Sequence, residues 1–149
     1  MRKIREVPTH SLGYEYWYAD QINGAKFNLA YKAMLAWIEM VENKFAWPDY
    51  IPFGPNAEAV VVTNSEVIIG LIVFEIDPYF KRARIELGWI HENYRDQGLY
   101  KKLWSAFEKQ IQGRATVIES MVSSDNNAMN KVAESQKREV FGTLYRKRI

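Results

Sequence analysis

A chain of 149 residues is the size of one domain with one substantial core, so we expect a single domain spanning residues 1–149. Apolar residues make up 48% and charged residues 26% of the sequence, a balance typical of packed globular proteins. The formal net charge is only +2, which argues against nucleic acid or an anionic membrane as the main partner. With no cysteine and only two histidines, we expect neither a disulfide framework nor a metal centre.

The apolar segments give no sign of secretion or of membrane insertion. Met1 to Val7 contain no hydrophobic stretch of the signal-peptide kind. The longest apolar runs, near Val60 and from Val67 to Phe74, are too short to span a bilayer. Since the lack of cysteine also suits a reducing compartment, we expect a cytoplasmic protein.

The first part of the chain predicts a strand, a connection and a helix. Ile4 to Val7 is a candidate first strand, and Ser11 to Asp20 is interpreted as an aromatic-rich connection. Apolar residues then recur every three or four positions, which predicts one face of an amphipathic helix. That face consists of Phe27, Ala30, Met34, Ile38, Val41 and Phe45. Trp47 to Pro55 is rich in proline and aromatics and predicts an apolar loop.

The middle of the chain predicts an antiparallel hairpin and a third strand. Ala57 to Thr63 and Val67 to Ile76 are β-branched runs joined by a short polar turn, and Arg82 to Ile90 continues the pattern. The next segment has apolar residues at helical spacing, and Gly113 stands where that helix would end. The face of this helix consists of Leu99, Leu103, Ala106, Phe107 and Ile111.

The last part predicts a strand from Ala115 to Val122, a short helix from Asn126 to Gln136 and a final strand from Val140 to Tyr145. In the short helix, the residues expected to face inward are Met129, Val132 and Ala133. The whole order predicts an α/β (α+β) architecture with a mixed, mostly antiparallel central sheet flanked by helices. This order of elements does not match a doubly wound parallel sheet.

The most informative segment is Arg95 to Gly98, where a strand exit opens a helix. Such a turn directs unpaired backbone N–H groups outward at the positive end of the helix dipole, an arrangement that binds phosphate oxygens. Arg95, Lys101 and Lys102 add positive charge. The alternative is that Gly98 only permits the turn and that the cations are solvated surface residues. Neither the P-loop nor the Rossmann glycine pattern occurs.

The same segment resembles motif A of the GNAT superfamily of N-acetyltransferases, whose pattern is [QR]-x-x-G-x-[GA]. Arg95 and Gly98 match this pattern, whereas Tyr100 stands where a small residue is usual. The order of elements from about Glu58 to the C-terminus is also that of the family. The resemblance implies a GNAT-like acyl-CoA N-acyltransferase fold, acetyltransferase activity, acetyl-CoA (coenzyme A) as co-substrate and an amine acceptor.

The resemblance also implies a set of cofactor contacts. The pantetheine arm would pair with the strand that precedes the motif, and the pyrophosphate would lie on the amides from Gln97 to Tyr100. The implied contacts are Trp89, Ile90, His91, Arg95, Gln97, Gly98, Leu99, Tyr100, Lys101 and Asn126. Asn126 equally fits the role of cap for the next helix. We expect acetyl-CoA in a cleft between the strand ending near His91 and the strand ending near Val122.

Acyl transfer to an amine needs a deprotonated amine, a polarised carbonyl and a leaving thiolate that can be neutralised. Glu86 is the preferred general base, acting directly or through water, because it lies among apolar residues on the expected central strand. Its alternative role is an ion pair with Arg84, Lys81 or another cation.

The general acid of the family is a tyrosine seven residues after the cofactor-contacting asparagine, and this sequence lacks it. Ala133 stands at that spacing from Asn126. Tyr145 and Tyr100 are the candidate substitutes, and unassisted departure of the thiolate is the third option. Because there is no cysteine, direct attack on the thioester without a covalent acyl-enzyme is the expected route.

Two other functions remain open at this point. One is a catalytically silent GNAT-fold module that binds acyl-CoA or a protein partner, which the missing acid and bulky Tyr100 favour. The other is a small nucleic-acid-binding domain, which the weak net charge disfavours. The chain ends soon after Tyr145, where the family has a further strand, so a homodimer that covers this edge is a hypothesis.

Overall fold

Six β-strands and three α-helices follow one another in the computed structural model, which describes residues 1–5, 13–46, 53–122, 126–140, 142 and 147. The strands are β1 Arg2–Ile4, β2 Tyr14–Ala19, β3 Glu58–Asn64, β4 Val67–Asp77, β5 Arg82–Ile90 and β6 Val117–Ser120. The helices are α1 Leu29–Glu42, α2 Leu99–Ile111 and α3 Asn127–Ser135. Over the described ranges, no helix is long and apolar enough to cross a membrane.

The strands form one sheet whose spatial order follows the chain order. Neighbours from β1 to β5 are antiparallel, and β6 lies parallel to β5. A parallel neighbour requires a crossover connection, and α2 supplies it. The predicted fold class, a mixed and mostly antiparallel sheet flanked by helices, is confirmed.

The two faces of the sheet carry separate apolar cores, one beneath each long helix. The predicted face of α2 is confirmed, since all its members are buried against the face that carries Val60, Ile72 and Phe74. The opposite face, with Val61, Leu71 and Val73, packs against α1. Burial on both faces explains why β3 and β4 are almost continuously apolar rather than alternating.

Two predictions for the N-terminal part were wrong. The expected connection from Ser11 to Asp20 contains strand β2, because its aromatic residues alternate between the two cores. The expected inward face of α1 is also rotated, since Met34 and Ile38 are 41% and 44% exposed. The residues that face the sheet are Leu29, Ala33 and Ala36. The small side chains of Ala33 and Ala36 allow the helix to approach the sheet closely, and Trp37 and Met40 pack at the border of the same core.

Other boundaries differ by a few residues. The first strand begins earlier than expected, and β6 is shorter than the predicted strand from Ala115 to Val122. Phe27 precedes α1 with a left-handed φ of 63° instead of belonging to it. In α3 the residues expected to face inward are only half-buried. The final strand predicted from Val140 to Tyr145 lies largely outside the described residues.

A buried carboxylate joins the end of α2 to the middle of the sheet. Glu58 on β3 is 7% exposed. Arg114, just beyond α2, donates to it from both terminal nitrogens at 2.9 and 2.7 Å, and the Tyr18 hydroxyl donates to the same carboxylate. Burial and the hydrogen bond to Glu58 raise the pKa of Tyr18 to about 12. This contact holds the C-terminal end of α2 and therefore helps to orient its N-terminal end.

We expect Arg114→Met to destabilise the fold by about 2 kcal/mol, because it leaves the Glu58 carboxylate buried beside an apolar side chain. Urea unfolding would measure the loss. Arg84→Met is the matched control, since Arg84 is exposed on β5 and its replacement should change the unfolding free energy by less than about 0.5 kcal/mol. Equal unfolding free energies of the two variants would contradict a stabilising role for the Arg114–Glu58 ion pair.

Candidate functional site

The candidate site is a fork between the two parallel strands. Residues Arg82 to Ile85 of β5 pair with Val117 to Ser120 of β6, and the pairing ends there. Beyond this point β5 continues to Ile90, still paired with β4 on its other side. Among the residues that the structure describes, no strand pairs with the edge of β5 that faces away from β4 from Glu86 onward.

Backbone groups line this open edge at alternate residues. The His91 N–H donates to the Ile69 carbonyl on the β4 side at 2.8 Å. Because alternate residues direct their N–H and C=O groups to the same side of a strand, the groups of Gly88 and Ile90 point into the fork. Those of Trp89 point toward β4. An extended polar ligand arm thus finds the N–H and C=O of Gly88 and the N–H of Ile90, whereas the Ile90 carbonyl already accepts from Arg95 Nε.

Glu86 lies at the fork as the extra residue of a β-bulge. Val73 and Phe74, adjacent on β4, pair with Leu87 and Ile85, so Glu86 has no opposite residue. The bulge reverses the alternation of the strand: Ile85 packs toward α2 whereas Leu87 packs toward α1. Glu86 is half-buried. The bulge therefore sets a carboxylate where the two strands separate.

The turn before α2 presents the helix N-terminus to solvent. Gly98 has a left-handed φ of 77°, is exposed and caps α2 without a side-chain hydrogen bond. Nothing lies within 4 Å of the position that a Cβ on Gly98 would take. Leu99, Tyr100 and Lys101 thus contribute first-turn N–H groups that the helix cannot satisfy, at its positive end. An anion of phosphate size fits this end of the fork.

The guanidinium group of Arg95 is bound by other parts of the fold and does not extend over the N-terminus of α2. Its Nε donates to the Ile90 carbonyl at 2.9 Å, and its Nη2 forms an ion pair with Glu39 of α1 at 3.1 Å. The second oxygen of Glu39 accepts from the Trp89 indole at 2.9 Å. Glu39 therefore ties the turn and the end of β5 to α1. Lys101, exposed on the first turn of α2, is the predicted cationic contact that projects into solvent.

Tyr100 reaches from α2 to the open edge of β5. A Cβ added to Gly88 would lie only 2.7 Å from the Tyr100 hydroxyl oxygen. Burial raises the pKa of Tyr100 to about 12, so this phenol is protonated at neutral pH. A tyrosine at the usually small position of the motif is thus accommodated by a glycine on the strand opposite.

The other predicted contacts lie around this fork or outside the described residues. Gln97 is exposed on the turn, and His91 uses its Nδ1 to accept from the Asn93 N–H at 3.1 Å. Asn126 is 8% exposed and its side chain accepts from the Met129 N–H at 3.1 Å, which makes it the N-cap of α3. The candidate acid Tyr145 lies outside the described residues.

Comparison with known proteins establishes the family. The model of the acetyltransferase (GNAT) family matches residues 27–136, well over half of the chain. The chain belongs to this family, and the predicted GNAT-like fold is confirmed. A comparison with curated protein sequences finds no match.

Solved structures share the fold at low sequence identity. The ribosomal-protein-alanine N-acetyltransferase from Brucella melitensis biovar Abortus 2308 has a TM-score of 0.65 and 13% identity, over 91% of this chain and 99% of that one. Aminoglycoside N-acetyltransferase AAC(6')-Iy in complex with CoA has a TM-score of 0.63 and 14% identity, over 90% and 99% of the two chains. The aminoglycoside acetyltransferase meta-AAC0020, from an uncultured soil metagenomic sample, has a TM-score of 0.62 and 16% identity, over 91% of this chain and 97% of that one.

Two residues of the site were missed by the sequence analysis. The role of Gly88 could have been predicted, because a glycine inside an otherwise apolar strand indicates the close approach of another group. Glu39 had none, since a carboxylate on a helix surface looks the same whether or not a distant arginine reaches it. Its contact with Arg95 spans 56 positions of sequence.

We expect Gly88→Ala to destabilise the protein by about 1–2 kcal/mol, because the new methyl group meets the Tyr100 hydroxyl. Tyr100→Phe removes the atom that is in conflict, so the double variant should regain more than half of that loss. Thermal unfolding of the unchanged protein, the two single variants and the double variant measures the coupling energy between Gly88 and Tyr100. Strictly additive changes would show that the two residues do not touch.

Proposed function

We propose that this protein is a single-domain N-acetyltransferase of the cytoplasm that moves an acetyl group from acetyl-CoA to a primary amine. The observation that carries the proposal is the fork: an open strand edge that leads from the bulged Glu86 to the exposed N-terminus of α2. N-acetylation is also what the names of two structural neighbours state for those proteins, with ribosomal-protein alanine and aminoglycosides as acceptors.

The residues of the fork fit acetyl-CoA by their chemistry. The N–H groups from Leu99 to Lys101 suit the pyrophosphate, and the strand groups of Gly88 and Ile90 suit the amides of the pantetheine arm. Bound there, acetyl-CoA supplies an activated thioester at the Glu86 end of the fork. Arg95 contributes by holding the turn in place through Glu39 and the Ile90 carbonyl.

Glu86 is the proposed general base. A half-buried carboxylate at the separation of β5 and β6 is close to where the thioester and the amine would meet. It accepts a proton from the ammonium group of the acceptor, directly or through one water, so that the resulting neutral amine attacks the carbonyl carbon without a covalent acyl-enzyme. A charged acceptor is drawn toward the same carboxylate.

Tyr100 is the proposed general acid among the described residues. Its hydroxyl lies against Gly88, which belongs to the stretch of β5 beyond the pairing with β6, and it can donate a hydrogen bond there. It donates a hydrogen bond to the departing sulfur and passes on its proton as the thiolate forms. Tyr145 remains the second candidate.

One observation favours a catalytically silent module as the second function. The Tyr100 ring covers Gly88, the point of β5 where the pantetheine arm would lie. If the ring did not move aside, only a shorter or differently placed ligand would fit. Release of thiol from acetyl-CoA in the presence of an amine distinguishes the enzyme from the module.

Isothermal titration with acetyl-CoA tests the cofactor site. We expect micromolar binding that falls at least about tenfold in Gly98→Asp, because a carboxylate would repel the pyrophosphate at the helix N-terminus. Gly98→Asn is the matched control, since asparagine has the same shape and tolerates the left-handed conformation. Its affinity should stay within about threefold of the unchanged protein. Absence of binding in the unchanged protein would refute the acetyltransferase proposal.

Glu86→Gln tests the base. We expect kcat for thiol release to fall about 100-fold or more with little change in acetyl-CoA affinity, because the amide cannot accept the proton. The difference in kcat between this variant and the unchanged protein should become smaller as pH rises, because more of the amine acceptor is then already deprotonated. The assay needs a panel of amines that includes alanine-terminated peptides, aminoglycosides and polyamines.

Glu75→Gln is the control for that experiment, because Glu75 is a half-buried carboxylate on β4 outside the fork. Its turnover should match that of the unchanged protein. A Glu86→Gln variant with full activity at neutral pH would remove Glu86 from the mechanism.

A further inference from the structure

A guanidinium group lies at the mouth of the fork, beyond the residues that the proposed mechanism uses. Arg138 follows α3, and its Nη2 donates to the Ser120 hydroxyl at the end of β6. Its guanidinium carbon lies 5.2 Å from the centroid of the Trp104 ring on α2. These two contacts place the charge between the last paired residue of β6 and the helix above the sheet.

The neighbours of Arg138 are residues of the proposed active site. Ser120 pairs with Ile85, the residue immediately before Glu86. On the helix, the Tyr100 ring lies 6.4 Å from the Trp104 ring and carries its hydroxyl to Gly88. The guanidinium, the phenol and the bulge thus surround the same end of the open strand.

The environment of this cation suits an anionic ligand. Arg138 is half-buried, and its hydrogen-bond partners Ser120 and Gln136 are neutral. Within the described part of the chain, no carboxylate forms an ion pair with it. Burial lowers the pKa of its guanidinium from the ordinary value, and the nearby Tyr100 acts in the opposite direction. A partly desolvated cation whose hydrogen-bond partners are neutral is stabilised when a negatively charged ligand binds beside it.

We infer that Arg138 binds the sulfur of coenzyme A and stabilises the leaving thiolate. The inference rests on the proposed function and adds a residue that the motif does not contain. As the amine nitrogen bonds to the carbonyl carbon, the C–S bond breaks and its electron pair remains on sulfur. Glu86 has already taken one proton from the ammonium, the second N–H proton leaves to water as the amide forms, and the sulfur, held by Arg138, later takes a proton from Tyr100 or from water. The products are the amide and the free thiol.

The test measures the thiol pKa of bound coenzyme A, which requires no acceptor and no turnover. The ultraviolet absorbance of the thiolate is followed against pH in the complex with coenzyme A, after subtraction of the protein alone. Among the described residues, the charged or titratable groups that the proposal places around this thiol are Arg138, Tyr100 and Glu86. We expect the thiol pKa in the complex to lie about one unit below that of free coenzyme A, a tenfold change in acidity.

Arg138→Gln should raise the thiol pKa of the bound coenzyme A by about one unit, whereas Arg138→Lys should keep most of the shift because the positive charge stays. Lys137→Gln is the matched control: it removes the same charge from an exposed neighbouring position and should change nothing. Affinity for coenzyme A should stay within about threefold in all three variants.

A thiol pKa in the unchanged protein at or above the value of free coenzyme A would overturn the role of Arg138, even if Arg138→Gln did not fold. The same conclusion follows if Arg138→Gln and Lys137→Gln behave alike. These outcomes leave the cofactor site intact and so differ from failure of the proposed function, in which coenzyme A does not bind to the unchanged protein.

Discussion

The separation of β5 from β6 is the constraint on which the rest of the site depends. The two parallel strands pair only as far as Ile85 and Ser120, after which β4 is the one strand paired with β5 in the described part of the chain. A strand edge without a partner inside a folded domain carries unsatisfied N–H and C=O groups, and these need a ligand, water or another segment. The bulge at Glu86 and the turn before α2 mark the two ends of this open stretch.

The turn and helix α2 are held by contacts with distant parts of the chain. At one end, Glu39 on α1 accepts from Arg95 and from the Trp89 indole, so the turn is fixed against the far face of the sheet. Beyond the other end of α2, the Arg114–Glu58 pair fixes the C-terminus of the helix, and Arg138 packs on Trp104 in its middle. The position of the helix N-terminus is therefore set by packing on both sides of the sheet.

The pair formed by Tyr100 and Gly88 distinguishes this site from the family pattern. The motif places a small residue where Tyr100 stands, and the structure accommodates the larger ring because Gly88 carries no side chain. The phenol then lies over the face of the strand whose edge the ligand would use. In the proposed mechanism, Tyr100 would affect both how the ligand enters and how its sulfur is protonated, so this residue is central to the choice between enzyme and silent module.

Much of the fold was predictable because the sheet is buried on both faces. The hairpin of β3 and β4 and the inward face of α2 followed from β-branched runs and from helical spacing, both of which are local signals. The error at β2 arose because aromatic residues that alternate between two cores look like an irregular aromatic loop. The error at α1 arose because several faces of that helix are apolar, so periodicity did not identify the one that contacts the sheet.

The site was predictable only where it is local in sequence. Gly98 and the helix start follow from a turn signal within one segment, and Asn126 was weighed correctly as a helix cap. The bulge at Glu86 depends on the register between two strands, which no single segment specifies. The contacts of Glu39 and Arg138 are tertiary, and their residue types are common on surfaces, so nothing local indicated them.

The central claim is that the open edge of β5 and the N-terminus of α2 bind one ligand together. The most direct test is the chemical-shift change of backbone amides in a nitrogen-15 NMR spectrum during titration with coenzyme A. We predict the largest changes at Gly88, Ile90 and the amides from Leu99 to Lys101, with little change on β1 and β2. Changes confined to other surfaces, or none at saturating coenzyme A, would contradict this account of the fork.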